Sequence, residues 1–149
     1  MAFIKMAQTL NSQGATYKYG FDADNGSYVI GTALVLSAAG KLQAPAAALS
    51  TKPLYTAAQN KKVDSAADAD ISLTVEPVTD NSIYEVPLSV AAATLAKGQL
   101  LAVDSGGLTV SGATGGSFLV ESFTGTAIGD IVRGRFVEPL PVPPEPDNG

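Results

Sequence analysis

Apolar and polar residues alternate in short runs along most of this chain, and glycine, proline and asparagine punctuate the runs. Ile71-Ser72-Leu73-Thr74-Val75 alternates strictly, which predicts a half-buried strand ended by Pro77. Thr16 to Phe21 alternates aromatic with other residues and also predicts a strand. Asn25-Gly26 follows it, and Ser27 to Ile30 comes next. Asn-Gly accepts positive φ at both central positions of a tight turn, so a hairpin is expected there. Further strands are expected at Ala33 to Leu36, Pro53 to Ala57, Ile83 to Val86, Gln99 to Val103, Leu108 to Val110, Phe118 to Phe123 and Ile131 to Val137. Gln59 to Asp70 is polar and reads as a loop; Leu42 to Leu49 is Ala-rich and fits either a short helix or a loop. No segment carries the period of a long amphipathic helix.

The runs repeat. Gly31, Ala33-Leu34-Val35-Leu36, a small-residue turn and Gly40 are matched by Gly98, Leu100-Leu101-Ala102-Val103, a turn and Gly107. Asp70-Ile71 and Val75-Glu76-Pro77 are matched by Asp130-Ile131 and Val137-Glu138-Pro139. The opening glycines lie 67 positions apart and the closing prolines 62, so a loop is shorter in the second copy. Self-similarity of this kind predicts a duplicated β fold, with repeat-like units at 29–77 and 96–139. The expected architecture is mainly β: a small β-barrel or β-sandwich built from two similar units. An extended N-terminal arm (1–14) precedes the β-rich body (15–138), and a proline-rich tail (139–149) follows it. Five of the nine prolines lie in that tail, where polyproline II is the preferred shape.

Composition narrows the function classes. At 149 residues the chain can bury a core without staples, although much of its 46% hydrophobic content is alanine and aromatics make up 7%. A thin core gains from subunit contacts. The net charge of −5 disfavours nucleic acid and anionic membranes as partners. No run of about 18 apolar residues is present to span a membrane, and the first residues lack the apolar stretch of a secretory signal.

Candidate chemistry is sparse. With neither His nor Cys, the Ser-His and Cys-His nucleophile systems are absent, and no catalytic residue, metal ligand or cofactor is expected. Asp22-Ala23-Asp24-Asn25-Gly26 resembles the start of a calcium loop, but its glycine comes one residue early and the closing Glu is missing. Asp64, Asp68 and Asp70 read as solubilising loop residues. Gly112 to Gly116 lacks the Lys-Ser/Thr ending of a phosphate loop and reads as a turn. The candidate contacts are therefore surfaces. Phe3, Ile4, Lys5 and Met6 are candidates for docking on a larger partner. Arg133 and Arg135, two apart on a strand and so on one face, are candidates for contact with another subunit or with that larger partner, with Pro141, Pro143 and Pro144 of the tail.

Several stretches together resemble the capsid decoration, or cement, proteins of bacteriophages. They are Lys52 to Ala57, Ile71 to Val75, Ile83 to Val86, Lys97 to Val103, Gly115 to Glu121 and Ile128 to Val132, within a span of roughly Tyr28 to Pro139. The resemblance implies a β-rich structural protein, made in the host cytoplasm and placed on the outer surface of the virion. It implies binding to the major capsid protein after the shell expands, self-association as a homotrimer, and no enzyme activity. An alternative is a β-type minor head or tail-spike module binding a host-surface glycan, for which Tyr17, Tyr19 and Tyr55 are the aromatics of interest.

Overall fold

A computed structural model of the chain describes residues 2–8, 18–79, 82–112 and 115–137. These residues form an all-β structure with partly curled sheets and no helix among them. The strands are β1 (Ile4–Gln8), β2 (Tyr19–Asp22), β3 (Gly26–Tyr28), β4 (Ala33–Leu36), β5 (Leu42–Gln43), β6 (Tyr55–Ala57) and β7 (Lys61–Val63), then β8 (Ser72–Pro77), β9 (Ser82–Pro87), β10 (Leu100–Val103), β11 (Val110–Ser111), β12 (Phe118–Phe123) and β13 (Ile131–Phe136). The Ala-rich stretch after Leu42 is thus a two-residue strand followed by loop, and the polar stretch after Gln59 contains a strand, β7.

One sheet has the order β2-β8-β6-β4-β5 and another β1-β9-β13-β12-β10-β11, with β3 and β7 forming a small separate ribbon. Apart from β1, the two large sheets follow one pattern: first strand, last strand, fourth, second, third, every neighbour antiparallel. In each, the residue after the first strand makes a parallel bridge to the third strand, Ala23 to Leu42 and Leu88 to Val110. The loop bonds match too. Gly31 N–H donates to Ala57 C=O at 2.7 Å, and Gly98 N–H to Val120 C=O at 2.8 Å. Gly40 N–H donates to Ser37 C=O at 2.9 Å, and Gly107 N–H to Asp104 C=O at 3.0 Å. All four glycines have positive φ, between 73° and 89°, a conformation that side chains disfavour.

The hairpin expected at Asn25-Gly26 does not form. β2 pairs with β8, and β3 pairs with β7. Neither Asn25 nor Gly26 has the positive φ such a turn requires. Instead Asp24 N–H donates to Leu42 C=O at 2.8 Å, and the Asn25 side chain accepts a bond from Ser65 N–H at 2.8 Å.

Two apolar clusters form the core. Leu34, Leu42, Val63, Leu73 and Val75 centre the first. The second gathers Phe3, Tyr84, Phe118 and Phe136 with Val86, Leu101, Val103 and Val132. Its rings meet mostly edge to face, at centroid distances of 5.1 to 6.1 Å, the arrangement the ring quadrupole favours. The two halves are joined by backbone bonds: Ala33 N–H to Gly107 C=O at 2.8 Å, Gly106 N–H to Pro45 C=O at 2.8 Å, and Leu49 N–H to Val103 C=O at 2.9 Å.

Tyr84 puts a hydroxyl inside the second cluster with no hydrogen-bond partner among the described residues. Burial pushes its pKa up to about 12, and the neighbouring Ser82 draws it back slightly. The folded chain therefore holds this proton more tightly than the unfolded chain, whose tyrosines titrate near 10. The associated stability is fully present below about pH 10 and is lost as pH rises toward 12, an amount of roughly 2–3 kcal/mol. Tyr84→Phe should remove this alkaline loss. At neutral pH the variant should be as stable as the parent or about 1 kcal/mol more so, since no buried hydroxyl is left unsatisfied. Urea melts of both chains from pH 7 to 12 check this; parallel pH curves would refute it.

Candidate docking surfaces

The N-terminal residues expected to dock on a partner divide between core and surface. β1 pairs antiparallel with β9, with Ile4 opposite Glu85 and Lys5 opposite Tyr84. Phe3, just ahead of it, is 2% exposed and touches the rings of Tyr84, Phe118 and Phe136. Its N–H donates to Gly31 C=O at 2.9 Å. Phe3 is thus committed to the chain's own core and cannot meet a partner without leaving it. Ile4 and Met6 are exposed. Lys5 is half-buried and ion-paired with Glu76 of β8; burial, and secondarily the nearby Lys18 charge, lower its pKa. Within the expected arm, Ile4–Gln8 is a strand of the six-stranded sheet. A cleft of about 460 Å³ lies beside it, lined by Ile4, Lys5, Lys18, Ile30 and Glu76 among others.

Arg133 and Arg135 do share a face: both are exposed on β13, alternating with the buried Val132, Gly134 and Phe136. Each faces an acid on a neighbouring strand. Arg133 donates to Glu85 of β9 from Nη2 at 2.7 Å and from Nε at 3.2 Å. Arg135 Nε lies 3.0 Å from Glu121 of β12. This arginine face is therefore charge-balanced, and Glu85 and Glu121 are the site residues that sequence reading missed. Their signal was the alternation of their own strands, without the cross-strand register that pairs them with arginine. Ile4, Glu85 and Arg133 occupy consecutive register positions across β1, β9 and β13, so an exposed apolar residue adjoins the ion pairs on one sheet face. Pro141, Pro143 and Pro144 lie outside the described residues, as does Tyr17.

On the other large sheet, Tyr19 and Tyr55 lie on β2 and β6, within two of the runs expected as strands. Their rings meet edge to face at 5.9 Å, and the Tyr19 hydroxyl donates to that of Tyr55 at 3.0 Å. That bond is the main cause of a raised Tyr19 pKa. The acidic loop residues are used locally. Asp70 accepts from both the N–H and the hydroxyl of Ser72, and Asp64 accepts from Ala66 N–H. Among the described residues, no three His, Cys, Asp or Glu side chains come together to hold a metal ion. No family model matches the chain, and no curated protein matches it.

Proposed function

We propose that this protein is a structural component of a phage virion that binds the outer surface of the expanded capsid. In this reading it stabilises the shell by bridging major capsid protein subunits without covalent bonds. The observation that carries it is the outer face of the six-stranded sheet. There Ile4 is exposed beside the Arg133–Glu85 pair, with the Arg135–Glu121 pair two residues further along β13, a surface with both apolar and complementary polar contacts to offer. The resemblance to cement proteins supports the same reading and adds self-association as a homotrimer. A partner that binds only the mature shell lowers that state's free energy by mass action. Neither nucleic acid nor a membrane is a partner in this reading.

The test is co-sedimentation with expanded heads lacking the protein and with unexpanded proheads. Saturable binding to expanded heads alone is expected, and Ile4→Asp with Met6→Asp should abolish it while leaving the fold intact. Binding to neither form overturns the reading. The Tyr19–Tyr55 pair, with Tyr19 exposed and Tyr55 half-buried, favours the second reading, a glycan-binding head or tail module. Glycan-array binding lost in Tyr19→Ala would support it.

We also read the β body as two copies of one five-stranded unit, each curling toward a small barrel. The shared strand order and the paired parallel bridges support this. The register brings Tyr19–Asp22 and Ser82–Pro87 into the units, ahead of the boundaries at 29 and 96.

A further inference from the structure

We propose that copies of this chain associate head to tail, through open counterparts of the two surfaces that already join its halves. The inference rests on the repeat reading and is independent of capsid binding. Within the chain, one side of the joint is the start of β4 with the 44–50 segment. Ala33 is fully buried there, within the second core cluster, and Leu49 packs against that cluster. The other side is the end of β10 with its following turn. Val103 is fully buried, and Gly107 lies so close to Ala33 C=O and the Pro45 ring that a side chain would not fit.

Each side has a counterpart in the other half. The ladders place Leu100 opposite Leu119 as Ala33 stands opposite Thr56. They place Leu36 opposite Leu42 as Val103 stands opposite Val110. The turns after Leu36 and Val103 carry the same bonds: Ser37 N–H donates to Lys41 C=O at 2.7 Å, and Asp104 N–H to Thr109 C=O at 3.0 Å. Yet the counterparts are uncovered. Leu36 is 45% exposed and Leu100 38%, and Gly40 has open space where Gly107 meets Ala33. Each large sheet thus shows an exposed leucine at a ladder position whose counterpart is sealed inside the chain.

The two surfaces differ, so a contact between them is heterologous: every copy offers one of each, and growth continues until a ring closes or a filament forms.

Sedimentation velocity of the full chain, Leu36→Asp, Leu100→Asp and an equimolar mixture of the two variants tests this. The parent should sediment as an oligomer and each variant as a monomer. The mixture should give a dimer and nothing larger, because each variant retains the surface that the other lacks. A parent that stays monomeric up to about 100 µM, a hundredfold above a micromolar Kd, overturns the proposal. So do variants that remain oligomeric, and a mixture that stays monomeric. Circular dichroism confirms that each variant is folded. Hydrogen exchange on the monomeric variants checks the repeat separately: protection of Gly31 with Gly98, and of Gly40 with Gly107, supports it, and mismatched protection refutes it.

Discussion

Phe3→Ala is expected to destabilise the folded chain by about 3–5 kcal/mol, the usual cost of truncating a buried phenylalanine. The side chain is enclosed by Tyr84, Phe118 and Phe136, with centroid distances of 6.1, 5.7 and 5.3 Å. Truncation removes three ring contacts and leaves a void that rigid strands close only in part. A loss of this size is a large share of the 5–15 kcal/mol by which domains of this kind are folded. Ile4→Asp is the control. Ile4 is exposed on the same strand, so its substitution should change stability by less than about 1 kcal/mol. Urea denaturation of the two variants separates a core plug from a docking arm. If Phe3→Ala leaves the midpoint unchanged and only weakens shell binding, then Phe3 belongs to the partner's surface after all.

The contrast between these neighbours shows what the sequence could and could not reveal. Phe3, Ile4 and Met6 are all apolar in a segment without clear periodicity, so position alone suggested a common docking role. What separates them is β9, about 80 residues away, and no local pattern names that partner. Short-range information fared better where backbone chemistry is local. The glycines that the sequence self-match pairs, Gly31 with Gly98 and Gly40 with Gly107, all have positive φ. The closing strands were harder. By the ladders, Ser72 opposite Asp22 stands where Ile131 stands opposite Pro87, one residue off the match of Asp70-Ile71 to Asp130-Ile131, and Pro77 opposite Tyr55 stands where Phe136 stands opposite Phe118, three residues off the match to Pro139. A slip of one exchanges the faces of a strand, so composition is a poor guide to register there. Arg133 and Arg135 were placed on one face correctly by their spacing. Their neutralisation by Glu85 and Glu121 depends on cross-strand pairing that spacing does not encode.

Gly134→Ala should be more damaging still relative to the size of the change, costing about 4 kcal/mol or more for one methyl group. Gly134 sits in the middle of β13, opposite Tyr84 on one side and Val120 on the other. A β carbon there would fall on the Leu119 carbonyl oxygen and lie 3.2 Å from the Phe118 ring. Glycine inside a strand ordinarily weakens it, and its presence marks a close approach of another backbone. The register shift between Val120 and Ser122 in β12 coincides with that approach. The corresponding ladder position in the other half is Val75, whose side chain fits the first cluster, so the restriction belongs to the aromatic core and not to the strand order. Gly98→Ala supplies the comparison. Gly98 has φ of 88° with open space around it, so alanine meets only backbone strain of about 1–2 kcal/mol. Thermal melts should therefore show Gly134→Ala falling by roughly 10 °C or more, and Gly98→Ala by less than half as much. Equal shifts would mean that the β12 backbone can move aside. The core would then be softer than the packing of Phe3, Phe118 and Phe136 implies, and the cost assigned to Phe3→Ala would have to fall with it.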